Sequence, residues 1–350
     1  VLLLLFPIIT ACEHCPSSSS FYSCTMLQNT HTAKRKVIDS HVHFWDTDRV
    51  HVPWVHKAGG KFAQPRLVPE YRDEVPEYID VEGVVFVEAD VDLTQGLLEA
   101  KWIHEYAERL KQQPIAGFGG IAGLVVYAPV NQGKYVVNYL DCLKTMVDFR
   151  HVKGIRYLLE NSDCDPKIPA SETFIEGVQA LASYQLSFDL NINCHDCPDQ
   201  FPPIVELVKR CPNVQFILDH MAKPPISAAV GDKRFEWWKT HLQAIAQYPN
   251  VACKISGAIT EIDEPHGLPT ADQVQRCLHV VVDAFGHDRI MAGGDWPVVE
   301  RKAGNLQSWF ELLEQVTSHW SHADQDKLWS DNAKRVYRLG RDQYKAYCNA

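Results

Sequence analysis

Eight strand-length apolar runs alternate with longer stretches of helical period, the loop after the first run holds His-Val-His, and no linker or internal repeat divides the chain. Together these observations predict one α/β domain, a single (β/α)8 TIM-type barrel spanning residues 37–340. An open doubly wound sheet is disfavoured, because the position after its first strand would carry a glycine-rich phosphate loop.

The runs, in order, cover residues 37–42, 81–88, 115–125, 152–157, 186–192, 214–218, 251–255 and 290–292. Their near-continuous apolar character suits strands covered on both faces, as in a parallel sheet. Between them, residues 95–111, 135–150, 172–184, 204–210, 235–248 and 271–285 read as amphipathic helices. In the first of these, Leu97, Leu98, Trp102, Ile103, Ala107 and Leu110 repeat at helical spacing, a stripe that belongs to the core. Two further helices, over 306–316 and 324–339, close the domain.

Composition narrows the function. With 46% hydrophobic and 22% charged residues the chain is an ordinary globular protein. A net charge of −10 argues against a nucleic-acid partner, which needs a basic face. Eleven cysteines, an odd and irregularly spaced set, suit reduced thiols and a cytoplasmic protein rather than a disulfide framework. The apolar start VLLLLFPII and the run Ser17 to Ser20 lie before Met26, so residues 1–30 read as a leader or extension outside the fold. A secreted protein follows if residues 1–25 are a signal peptide. No other stretch is long and apolar enough for a membrane span.

In a barrel of this kind the active site lies at the C-terminal ends of the strands. Those positions hold His41 and His43, Glu88 and Asp90, Arg156, His195, Asp219 and His220, Lys254 and Ser256, and Asp295. His41 and His43, two apart on a strand, face one way and make half of a metal or proton-transfer site. Each residue also has a plainer role. Asp295 before Trp-Pro can pin a turn, Arg156 can form a structural ion pair, and His220 can be satisfied by its neighbour Asp219. Cys194 and Cys197 form a C-x-x-C with no second pair, which disfavours a zinc knuckle. The absence of G-x-S-x-G disfavours a serine esterase.

The motifs Asp39-Ser40-His41-Val42-His43-Phe44-Trp45-Asp46, Gly154-Ile155-Arg156, Leu218-Asp219-His220-Met221-Ala222-Lys223-Pro224 and Gly294-Asp295-Trp296-Pro297 resemble the amidohydrolase superfamily. The resemblance is to its amidohydrolase-2 branch, which includes sugar-acid lactonases. It implies a (β/α)8 barrel that opens a lactone by attack of an activated water on the ester carbonyl, with an L-rhamnono- or L-fucono-lactone as the substrate type. It also implies one divalent metal ion, usually zinc, held by His41, His43, His195 and Asp295, although some members of the branch work without a metal. Lys153, at a strand start, is badly placed for the bridging lysine of two-metal relatives.

On this reading Asp295 is the general base, with His220 and Arg156 as further catalytic groups polarising the carbonyl. Arg156, Trp45 and Trp296 are the expected substrate-binding residues; Trp54 shares the same prospect of stacking on a sugar. Besides the small-molecule substrate, the partner this reading allows is a second copy in a homodimer. The alternatives are a metal-dependent decarboxylase of an aromatic acid, from a related branch, and a catalytically silent barrel with a binding role.

Overall fold

The computed structural model describes residues 34–161, 164–263 and 267–340, so the expected leader lies outside the described residues. Eight strands, β1 (Arg35–Val42), β2 (Ile79–Val87), β3 (Ile121–Tyr127), β4 (Val152–Arg156), β5 (Ser187–Leu190), β6 (Phe216–Leu218), β7 (Val251–Ile255) and β8 (Ile290–Ala292), pair in parallel and in sequence order. The helices are α1 (Pro53–Ala58), α2 (Val68–Glu74), α3 (Gly96–Gln112), α4 (Val136–Met146), α5 (Glu172–Ala180), α6 (Phe201–Arg210), α7 (Lys233–Ala246), α8 (Ala271–Phe285), α9 (Leu306–Thr317), α10 (His322–Asp326) and α11 (Asn332–Val336). This is the (β/α)8 barrel that the apolar pattern predicts.

The two ends of the sheet meet through β1. Ser40 Oγ donates to the Ala292 carbonyl (2.7 Å), the Asp295 amide to the His41 carbonyl (2.8 Å), and the His43 amide to the Trp296 carbonyl (2.7 Å). The barrel therefore closes through residues of the two main motifs.

Alternation along the strands makes two cores. Outward residues such as Val37, Val84, Leu124 and Phe188 pack against the helices, and inward residues Ile38, Val85, Ala122, Ile217, Ala252 and Met291 form a second, smaller cluster. Val336 and Tyr337 from the chain's last described turn join that inner cluster. Tyr337 is fully buried and donates to Asp189 Oδ2 at 2.7 Å.

Three boundaries differ from the sequence expectation. β3 begins at Ile121 rather than residue 115, because the glycine-rich stretch before it turns, with Gly117 and Gly120 at positive φ. The expected closing helix is broken by a π turn at Lys327–Asp331, after which Asn332 Nδ2 donates to the carbonyls of His287 and Ile290, both at 2.7 Å. The loop after β1 folds into α1 and α2, too short to show a periodic stripe, each with proline in its first turn. Among the described residues, no helix is long and apolar enough to cross a membrane.

Candidate active site and metal centre

At the C-terminal end of the strands lies a cavity of about 420 Å³. His43, Asp90, Arg156, Glu160, His220, Lys223 and Asp295 reach its wall, as do Trp54, Lys57 and Arg301. The buried strand ends place the polar groups; the long loop after β1 supplies Trp54 and Lys57.

His41 Nε2 and His43 Nε2 stand 3.2 Å apart. Asp295 Oδ1 is 3.8 Å from the first and 3.5 Å from the second. His43 Nδ1 donates to the carbonyls of Val87 (2.9 Å) and Glu88 (3.1 Å), which leaves the Nε2 lone pair facing the other two groups. Burial holds His41 well below the usual imidazole pKa of 6.5, with the Lys254 ammonium adding to the effect, so its ring is neutral. Burial pushes Asp295 up, but His220, His43 and Lys223 outweigh it and keep the carboxyl below its ordinary value of 3.8.

Two imidazoles and a carboxylate thus converge on one point. In a tetrahedron of zinc–nitrogen bonds of about 2.0–2.1 Å, neighbouring ligand atoms lie roughly 3.3–3.4 Å apart. The observed spacings bracket that edge, and the imidazole–carboxylate set suits a divalent ion of the zinc type. The residues present fit the group.

His220 approaches from a turn of unusual backbone. His220, Met221, Ala222 and Lys223 all have positive φ, at 53°, 55°, 59° and 50°. Each such non-glycine residue costs about 1 kcal/mol or more. Trp238 Nε1 donating to the Met221 carbonyl (2.7 Å), the Cys194 amide donating to the Ala222 carbonyl (3.2 Å) and the complete burial of Met221 and Ala222 hold the turn. The turn sends His220 and Lys223 into the same cavity. His220 Nε2 lies 3.8 Å from Asp295 Oδ1, and Nδ1 is 2.8 Å from Ser256 Oγ. Gly257 is needed beside it: its φ is +66°, and a Cβ there would meet His220 Nδ1 at 2.8 Å.

Behind His41 sits a buried ionic network. Lys254 is fully buried; its ammonium donates to Asp189 Oδ2 (2.6 Å) and to His41 Nδ1 (3.0 Å). Asp219 Oδ1 lies 3.0 Å from Lys254 Nζ and 3.3 Å from His41 Nδ1, yet neither Asp219 oxygen has hydrogen-bonding geometry with a partner among the described residues.

Of the expected metal ligands the structure brings together His41, His43 and Asp295, and does not bring His195. β5 ends at Leu190, so Asn191 takes the cavity-lining position, and His195 stands five residues on in a turn, its Nε2 paired with Asp263 Oδ1 at 3.0 Å. It lines a neighbouring cavity that shares Glu160, Lys223 and Arg301 with the first. Arg156 does line the site, but Nε donates to Glu88 Oε1 (2.5 Å) and Nη2 to the Glu88 carbonyl (2.6 Å), so half its fork is a buried ion pair.

The two expected aromatic platforms are corrected. Trp45 is completely buried, and its Nε1 donates to the carbonyls of Phe62 (3.0 Å) and Gln64 (2.9 Å). Trp296 is likewise buried, packed edge-on against Tyr71 with Arg66 over its ring. Trp54 is the tryptophan on the cavity wall, anchored by Nε1 to the Ala89 carbonyl (2.8 Å). Sequence reasoning missed Lys57, Glu160, Asn191, Lys223 and Arg301; only Lys223 carried a signal, as part of the motif that forms the turn.

The amidohydrolase family matches residues 38–339. The chain belongs to that family. It is 30% identical over 341 residues to an L-rhamnono-gamma-lactonase of Scheffersomyces stipitis, covering 88% of this chain and all of that one. An L-fucono-1,5-lactonase of Burkholderia multivorans is 26% identical over 309 residues, covering 86% of this chain and 96% of the relative. A crystal structure of a Burkholderia multivorans amidohydrolase with bound zinc superposes with a TM-score of 0.72 at 25% identity, over 87% of this chain and all of that one.

Proposed function

We propose that this amidohydrolase opens the ring ester of a sugar-acid lactone of the L-rhamnono- or L-fucono-lactone type. The observation that carries the reading is the convergence of His41, His43 and His220 on Asp295, with His43, His220 and Asp295 on the wall of one cavity at the C-terminal end of the barrel. The two relatives named for sugar lactonases support the substrate class.

His41, His43 and Asp295 would hold a divalent ion, zinc being the best match; when bound, such an ion polarises a carbonyl and acidifies water. Asp295, ionised at neutral pH, takes the proton of the attacking water and returns it to the departing ring oxygen. His220, with the Ser256 hydroxyl donating to Nδ1, presents Nε2–H to the oxygen that becomes negative. Arg156 offers the N–H groups that Glu88 leaves to a substrate hydroxyl or carbonyl. Trp54 gives a flat apolar face on the cavity wall, suited to a sugar ring.

The test is acid release from a panel of aldonolactones, read against the spontaneous rate in buffer, with protein as purified and after chelation. Turnover of a sugar lactone that disappears on chelation and returns with zinc is the expected result. Turnover that survives chelation removes the metal from the reaction. A panel with no substrate removes the lactonase reading.

A further inference from the structure

Lys254, Asp219 and Asp189 form a buried ionic cluster that lines no part of the cavity, yet it touches one candidate metal ligand from behind. The hydrogen bonds in the structure define one tautomer of His41. Lys254 has only protons to give, so His41 Nδ1 accepts and the ring's single proton sits on Nε2. His43 is the other way round, with its proton on Nδ1 and a lone pair on Nε2, so the 3.2 Å contact between the rings is a good N–H···N bond. Lys254, His41, His43 and the Val87 carbonyl make a satisfied chain.

That chain is incompatible with a metal ligand. A cation needs the His41 Nε2 lone pair, and the proton now on Nε2 must go elsewhere. The structure has a place for it. Asp219 is fully buried; its Oδ1 is ion-paired with Lys254 at 3.0 Å, yet neither oxygen accepts a hydrogen bond among the described residues, which leaves acceptor capacity open. Its Oδ1 stands 3.3 Å from His41 Nδ1. Asp189 Oδ1 is similarly unpartnered and belongs to a carboxylate that Lys254 already holds.

We propose that Lys254 and Asp219 are positioning residues that switch the tautomer of His41 between a metal-free and a metal-loaded arrangement. In the first, Lys254 donates to Nδ1 and the ring proton lies on Nε2. In the second, the proton lies on Nδ1 and is donated to Asp219, Nε2 is free to ligate, and the Lys254 hydrogen turns from Nδ1 to the open carboxylate oxygens. One proton leaves Nε2 and one arrives at Nδ1 of the same ring, so His41 changes ligand capacity without changing charge. The inference rests on the metal reading of His41, His43 and Asp295.

The experiment is nitrogen-15 NMR of the histidine rings in the full protein, chelator-stripped and then loaded with zinc, the His41 signals being those lost in His41→Gln. Two-bond correlations separate a protonated ring nitrogen from one with a lone pair. The expected result is a protonated Nε2 before zinc and a protonated Nδ1 after it. Asp219→Asn, which keeps the shape but weakens the acceptor, should lose about 10-fold or more in zinc affinity by chelator competition with its unfolding midpoint retained. A protonated Nδ1 in the stripped protein overturns the proposal, as does unchanged zinc affinity in Asp219→Asn. If the wild type binds no zinc, the metal reading and the loaded half of the switch both fall, while the stripped spectrum still decides whether Lys254 orients His41. Absence of lactone turnover with the expected spectra would fault the substrate reading alone.

Discussion

The barrel interior has two storeys with opposite chemistry. Below, Ile38, Val85, Ala122, Ile217, Ala252 and Met291 pack with Tyr337 as a dry plug. Above, the same strands end in His41, Arg156, Lys254 and the residues just after β6 and β8, Asp219, His220 and Asp295, all buried. Burial in the lower storey stabilises, roughly in proportion to apolar area. Burial in the upper storey costs stability unless every charge has a partner, and it shifts proton affinities in the direction catalysis uses. The Asp189 carboxylate, bridging Tyr337 below and Lys254 above, is the seam between them.

Substitutions should separate the storeys. The largest effect is expected for Asp295→Asn: kcat falls about 10²–10⁴-fold with the urea midpoint nearly unchanged. A wild-type rate removes Asp295 as the base. Next, Tyr337→Ala below should cost about 3–5 kcal/mol in urea unfolding while KM at low temperature stays near wild type. A changed KM with unchanged stability would show that the plug is part of the site.

The tryptophans offer a sharper contrast within one loop. Trp45→Ala should destabilise by about 3–5 kcal/mol, because it opens a cavity in the core. Trp54→Ala should act instead on lactone KM, raising it several-fold with a smaller stability loss. The reverse pattern would restore Trp45 as a binding residue.

The smallest effect concerns acid. His41 and His220 are both held by burial well below 6.5, so unfolded rings take up protons that folded ones refuse. Their contribution is full above pH 6.5 and declines as pH falls below it. Asp39 has the opposite sign: burial, against the amides of Gly294 and His41 and the Tyr71 hydroxyl, pushes it up from 3.8 to about 7, so it favours the folded state as pH falls from 7 toward 3.8. Asp39→Asn should therefore steepen the loss between about pH 7 and about pH 5 by about 1–2 kcal/mol, measured by urea titration. A parallel curve would show that Asp39 does not titrate there.

What the sequence determined by itself was local and periodic. Apolar runs set eight strands, and period-two spacing put His41 and His43 on one face together; that this face is the inward one depends on the register break between Asp39 and Val42, which reverses the alternation begun at Ile38. The motifs that follow β6 and β8 marked His220 and Asp295 by residue type and place in the chain, not by strand alternation. Tertiary structure decided everything that depends on loop paths and on who stands behind whom. Trp296 follows Asp295 and so faces away from it into the core, while Trp45, past the end of β1, is pinned to the Arg66 backbone. His195 missed the centre because β5 stops at Leu190, a point set by pairing with β6 and not by local propensity. The groups behind His41 are Lys254, 213 residues away, and Asp219, with Asp189 holding Lys254 in turn, and only the closed barrel brings them together behind that ring.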